Sequence, residues 1–155
     1  MDVNQINAVY RATKSIMSNH FGADIKRGQP QAGHGSVPSD QVSVVLGVKG
    51  ELAGQIICSI SEDTAKNIVG AMMGGMQVSN LDELGWSAVQ EFGNWVAGTT
   101  ATELYNENYT VDVTPPIINE GKSKFHSTSK FITLPMDSSL GKVSIHISLS
   151  EKAMK

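Results

Sequence analysis

The stretch LDELGWSAVQEFGNWVAGTTATELYNE, residues 81–107, is the longest run of helical periodicity in a chain of 155 residues. At roughly 100° per residue, Ser87, Glu91, Asn94 and Gly98 fall within a stripe of roughly 60°. Val89, Phe92, Gly93, Val96, Ala97, Thr100 and Leu104 fall broadly on the opposite side. Such a helix buries one face and presents a hydroxyl, a carboxylate and a carboxamide together on the other. Asn80 is expected to cap it, with Glu83 three residues on closing a capping box. Glu91 and Asn94 are close enough in sequence for their side chains to meet on the helix surface. A helix interior does not favour Asn, whose amide competes for backbone hydrogen bonds. Spacing alone leaves the pair open between a solvated face and a site.

Upstream, residues 41–48 (QVSVVLGV) and 52–60 (LAGQIICSI) read as two apolar strands joined by Lys49-Gly50-Glu51 in an antiparallel hairpin. Ser61 then caps a shorter helix with Glu62 and Asp63 in its first turn, where they meet the positive end of the dipole. That helix stops at Gly74-Gly75. Nearer the start, residues 4–20 carry Ile6, Val9, Tyr10, Thr13, Ile16 and Met17 at spacings of three and four. They form a second long amphipathic helix, ended by Gly22. Residues 23–26 suit a short strand. The remainder up to Pro38, broken by Gly28, Pro30, Gly33, Gly35 and Pro38, is expected to be a connection or an irregular edge. Gly33-His34-Gly35 lacks the spacing and the following Lys of a phosphate loop.

Downstream, residues 109–113 alternate as a strand and Thr114-Pro115-Pro116 breaks it. Ile117 and Ile118 lead into a polar turn at Asn119-Glu120-Gly121, residues 124–134 form a strand, and 136–141 a turn. KVSIHISL, 142–149, is a strand of period two, with Val143, Ile145, Ile147 and Leu149 on one face. Lys142, Ser144, His146 and Ser148 lie on the other, where His146 is expected to be solvated. The tail EKAMK, 151–155, is expected to fray.

The order helix, Gly/Pro-broken segment, strand, strand occurs twice, with matches at a spacing of about 86, such as Gly28-Gln29-Pro30 against Thr114-Pro115-Pro116. This implies one α+β domain over residues 1–155, built of two pseudo-repeated halves, with two long helices packed on one antiparallel β-sheet. In that register Gln5 and Ala8 of the first helix stand where the second has Glu91 and Asn94, so the polar pair occurs once.

Bulk properties narrow the function. Hydrophobic residues at 40% and charged residues at 17% describe a globular chain. A net charge of −3 with scattered Lys and Arg argues against nucleic acid. Cys58, in GQIICSI, is one thiol with no disulfide partner, which fits a reducing compartment and reads as a buried small hydrophobe. No apolar run reaches the length of a membrane span and the acidic second residue does not suit a secretory signal, so a cytoplasmic location is expected. His20, His34, His126 and His146 are isolated, so no metal site is expected.

Ser87, Glu91 and Asn94 in the pattern S-x3-E-x2-N, followed by Val96-Ala97-Gly98, resemble the signature of the CheC/CheX chemotaxis phosphatases. The chain length, the two halves, and Pro115-Pro116 followed by Gly121 agree with that family. CheC-type members usually carry the motif in both long helices, and one copy resembles the CheX branch. The resemblance implies a CheC-like fold and hydrolysis of the aspartyl phosphate on a CheY-type response regulator. It implies Asn94 as the water-positioning group and Glu91 as a docking carboxylate directed at a cation, most simply a lysine, on the partner. It implies Ser87, Trp95 and Gly98 as partner-binding positions, with Ser87 a surface contact. Trp95 and Tyr105 border the stripe and read equally as interface anchors and as core or edge residues. Mg²⁺ is expected on the response regulator, with no cofactor held by this chain. Two other readings stand beside the phosphatase: a non-catalytic module of the same fold that docks a receiver domain or flagellar assembly, and a structural component forming a homodimer through sheet edges.

Overall fold

The computed structural model describes residues 2–151, apart from the side chains of Ser127 and Thr128. Met1 and residues 152–155, with most of the tail expected to fray, lie outside the described residues. Three helices are set by side-chain caps. In α1, Val3–Phe21, Asp2 accepts from the Asn4 N–H at 3.0 Å, and Gly22, at φ 61, closes the far end. In α2, Glu62–Met72, Ser61 Oγ accepts from the Thr64 N–H at 3.1 Å. In α3, Glu83–Asn106, the cap is Asp82, whose carboxylate accepts from the Gly85 N–H at 2.9 Å. The expected Asn80–Glu83 box therefore does not form. Leu81, the residue before the true cap, packs into the core beside Trp86, and this staple moves the start of the helix two residues on.

The sheet has eight strands: β1 Ile25–Arg27, β2 Gln31–Ser39, β3 Val42–Gly50, β4 Leu52–Ile60, β5 Val111–Val113, β6 Ile117–Glu120, β7 Ser123–Ser138 and β8 Gly141–Glu151. Their order is β1-β7-β8-β4-β3-β5, with β2 also on β7 and β6 also on β3, and every pairing is antiparallel. The β3–β4 and β7–β8 hairpins meet along β4 and β8. The short strands cross over: β1 and β2 of the first half pair with β7, while β5 and β6 of the second half pair with β3. The α+β architecture with two repeated halves is the one the sequence predicts.

β1 begins at Ile25 and not Ala23, and β5 at Val111 and not Tyr109; three larger departures have identifiable causes. Residues 31–39 form β2 despite their glycines and prolines, because β2 pairs on one side only and so tolerates Pro38 and a bulge between Gly33 and Gly35. A side chain at Gly33 would meet the Phe131 ring at 2.7 Å, so glycine lets that ring lie on the backbone. Residues 117–120 form β6 on β3 instead of leading directly into a turn. Met136 extends β7 with its side chain in the core, and the turn shrinks to Ser139 and Leu140.

One face of the sheet carries the helices over a single apolar core. Val42, Val44 and Leu46 of β3 and Val143, Ile145 and Ile147 of β8 meet Ile16, Phe92 and Val96 there. Cys58 is part of that core, and burial pushes its thiol up to about 12, so it stays protonated and inert. On the other face, the first half of β7 leaves β8 and pairs with β2 alone. Val37 and Phe131 of this ribbon pack on Ile57. The ribbon buries His146, contrary to the solvated placement expected: the side chain is 6% exposed, edge-on to Phe131, and bonded through Nδ1 to Thr133 Oγ1 at 2.8 Å.

Burial lowers the His146 pKa. In the unfolded chain the imidazole takes a proton near its ordinary value of about 6.5. Below that pH the unfolded state binds the extra proton first, so stability is full above it and is lost as pH falls through the folded value. Thermal melts between about pH 7.5 and 5 should show a falling midpoint, and His146→Gln should flatten the slope. An unchanged slope in that variant would exclude this histidine as the cause.

Candidate active site

α1 and α3 lie antiparallel. Arg11 of α1 bonds Glu103 Oε2 at 2.9 Å and Glu107 Oε1 at 2.8 Å, while Phe21, ten residues on, meets Phe92 and Trp95. With α1 beside it, the sheet beneath and α2 near its start, α3 keeps one narrow line open to solvent. Apart from its terminal residues Glu83 and Asn106, its exposed residues are Leu84, Ser87, Glu91, Asn94, Gly98, Thr102 and Tyr105. Spaced by threes and fours, they fall within about 80° of one another. Val89, Phe92, Gly93, Val96, Ala97, Thr100 and Leu104 are buried, as their periodicity predicts.

The stripe of Ser87, Glu91, Asn94 and Gly98 is thus the middle of a longer ridge. Among the described residues, no hydrogen bond or ion pair engages the side chains of Ser87, Glu91 or Asn94. Other polar groups of this segment are committed: Gln90 Nε2 donates to the Pro116 carbonyl at 3.1 Å, and Glu103 and Glu107 are held by Arg11. Trp95 lies on the flank, half-buried. Its ring stacks on His20 at 4.2 Å and 15°, so one face is already covered and only its remaining edge is open.

What holds the ridge is the buried side of the same turns. A side chain at Gly93 would meet Pro116 Cβ at 3.0 Å and Val44 Cγ1 at 3.1 Å, so the helix backbone rests directly on the sheet. Phe92 and Val96, each 1% exposed, lock the flanking positions. A carboxylate and a carboxamide one turn apart on a helix so seated are held in fixed relation. They can accept and donate hydrogen bonds and attract a cation, and among the described residues no cluster of three or more potential metal ligands is found.

The corresponding line on α1 is Asn4, Asn7, Arg11, Lys14 and Ser18, eighty residues before its counterparts on α3, as the two helix starts at Val3 and Glu83 require. Gln5 and Ala8, expected to match Glu91 and Asn94, are buried at 2% and 0%. The helices and strands of the two halves repeat at different spacings, and a register taken from the strands fails for the helices. Arg11 and Lys14 stand where α3 has Glu91 and Asn94. The aromatic brace of His20 on Trp95 and the seat of Gly93 on Pro116 went unread in the sequence. Two adjoining prolines following a helix that contains a small buried residue were the available signal for the second.

Comparison with known proteins accords with this geometry. Residues 42–137 match the family model described as chemotaxis phosphatase CheX. The CheY-P phosphatase CheX of Thermotoga maritima is 36% identical over 138 residues, 88% of each chain. The crystal structure of a CheC-like superfamily protein from Shewanella superposes with a TM-score of 0.85 at 25% identity, covering 97% of this chain and 99% of that one. CheX of Borrelia burgdorferi, solved with CheY, BeF₃ and Mg²⁺, shares the fold with a TM-score of 0.76 at 23% identity, over 95% of this chain and 98% of that one. A response-regulator phosphatase fold carries the ridge, and the chain belongs to the CheX family of chemotaxis phosphatases. No helix among the described residues is long and apolar enough to cross a membrane.

The two helical glycines should respond oppositely to alanine. Gly93→Ala gains helix propensity but overpacks against Pro116 and Val44, and should lose about 1–3 kcal/mol. Gly98 has nothing within 4 Å of an added Cβ, and Gly98→Ala should gain about 0.5–1 kcal/mol. Urea titration of both variants checks the contrast. A stabilised Gly93→Ala would show that α3 is not seated as described.

Proposed function

We propose that this chain hydrolyses the aspartyl phosphate of a CheY-type response regulator, with Asn94 as the catalytic amide and Glu91 as the docking carboxylate. The observation that carries this reading is the pair itself: adjacent, exposed, and uncommitted among the described residues, on a helix where Gln90, Thr102 and Glu103 are engaged. Its relative from Thermotoga maritima, a CheY-P phosphatase, supports the reading.

The chemistry asks little of this chain. Water attacks phosphorus, the bond from phosphorus to the aspartyl oxygen breaks, and the carboxylate and inorganic phosphate leave. Such transfers depend mainly on positioning and on charge neutralisation. The Asn94 carboxamide, neutral and able both to accept and to donate, holds the water in line with the breaking bond. An aspartate there would bring a negative charge against the phosphoryl group. Glu91 pairs with a cation of the receiver, most simply a lysine, and fixes the approach. The receiver brings Mg²⁺, which neutralises phosphoryl charge. The Borrelia relative, solved with CheY and Mg²⁺, supports that division of labour. Ser87, Gly98 and the open edge of Trp95 contact the receiver around the pair.

On this reading the protein works in the cytoplasm beside its substrate, which accords with its buried free thiol. The unpaired side of β2 is the edge on which a second copy would add, while β1 and β5, at three residues each, offer little.

Steady-state dephosphorylation of a phosphorylated CheY-type receiver should be accelerated by the wild-type chain. Asn94→Ala should lower kcat by roughly 10²–10³-fold while leaving receiver binding largely intact. Glu91→Ala should weaken both. No acceleration by wild type over the receiver's own decay would leave a docking module in place of an enzyme.

A further inference from the structure

We infer that the receiver covers the whole exposed line of α3, and that Leu84 and Tyr105 are its two apolar end contacts, setting affinity instead of the chemical rate. This rests on the reading of Glu91 and Asn94 given above and extends it to residues outside the motif.

Composition is the first argument. A line that only meets water on an amphipathic helix is normally rich in charge. Here the seven positions inside the terminal Glu83 and Asn106 carry one charge, Glu91. Leu84 is 65% exposed and Tyr105 67%, and these are α3's large exposed apolar side chains. Charge depletion with an exposed tyrosine is the composition of a protein interface, not of a solvated face.

Geometry is the second. From Leu84 to Tyr105 is about 31 Å along the helix axis, at 1.5 Å per residue. A standard interface buries about 800 Å² on each partner, which as a disc is about 32 Å across. Asn94 lies ten residues from Leu84 and eleven from Tyr105, so the catalytic amide is central and the two apolar groups stand at opposite rims. Energetically dominant groups concentrate at the centre of an interface, with contacts around them that exclude water. A partner whose acyl phosphate reaches Asn94 and whose contact is of ordinary size therefore meets both ends.

Gly98 is the third. Glycine inside a helix is destabilising, and an added Cβ at Gly98 would lie in open space, so no described part of this chain calls for it. It lies on the line one turn beyond Asn94, where the absence of a side chain lets a partner's backbone approach the helix.

The test measures kcat and KM for dephosphorylation, and Kd for the receiver activated with beryllofluoride and Mg²⁺, on wild type, Leu84→Ser, Tyr105→Ser, the double variant and Gly98→Ala. Each single serine variant should raise KM and Kd by about 5–20-fold and the double variant by more than either. In the serine variants kcat at saturation should stay within twofold of wild type. Gly98→Ala should weaken binding while melting at or above the wild-type temperature, which separates lost contact from lost folding. A double variant with KM and Kd within twofold of wild type overturns the inference while leaving the phosphatase reading intact. A wild type that binds the receiver without turning it over defeats the phosphatase reading, and the Kd ratios then decide the inference alone. A wild type that neither binds nor turns over receiver defeats both.

Discussion

The contact of Gly93 with Pro116 and Val44 is the constraint on which the site depends. It brings the α3 backbone down onto β3 and the turn before β6, at the turn of helix that carries Glu91 and Asn94 on its outer side. A larger residue there would lift the helix and reduce the packing of Phe92 and Val96, the groups that fix its rotation. Rotation matters because one residue on a helix is about 100°. A small turn of α3 would carry the amide off the crest of the ridge. The core therefore does more than stabilise the fold: it aims two polar side chains outward.

The exchange of short strands explains how a repeated structure holds one site. Each half covers the other, and the two long helices lie side by side as near-equivalents. Their exposed lines have taken different work. On α1 the central cation, Arg11, turns inward to Glu103 of α3 and to Glu107 at its C-cap and ties the helices together. On α3 the central carboxylate and amide stay uncommitted among the described residues. An ion pair of this exposure contributes little stability, about 0–1 kcal/mol, so the clamp is better understood as fixing the relative position of the helices. With Glu103 and Glu107 held by Arg11, Glu91 is the charge on the ridge that has no ion pair among the described residues.

The fold was largely legible because its signals were local. The helix faces, the Ser61 cap, the Gly22 stop and the β3–β4 hairpin follow from spacing and turn chemistry within a few residues. The misreadings came where distant partners decide. Leu81, half-buried against the core, moved the α3 cap to Asp82. Gln31–Ser39 became a strand because β7 offered it an edge. His146 alternates onto the polar face of its strand, and only the β2–β7 ribbon, far off in sequence, buries it. At the site, Glu91 and Asn94 were legible as a pair, and the resemblance to the CheC/CheX family supplied their roles. Their freedom from internal partners was not legible, nor was the narrowness of the exposed line, since both depend on what α1, α2 and the sheet cover.

The central claim is that one amide on this ridge sets the rate of the chemical step on another protein's phosphoryl group. The most direct measurement is single-turnover decay of a phosphorylated CheY-type receiver mixed with a saturating excess of wild type or of Asn94→Ala. At saturation docking no longer limits the rate, so the remaining difference belongs to the water. The account predicts fast decay with wild type and, with Asn94→Ala, a rate near that of the receiver alone. Decay with Asn94→Ala as fast as with wild type would contradict it.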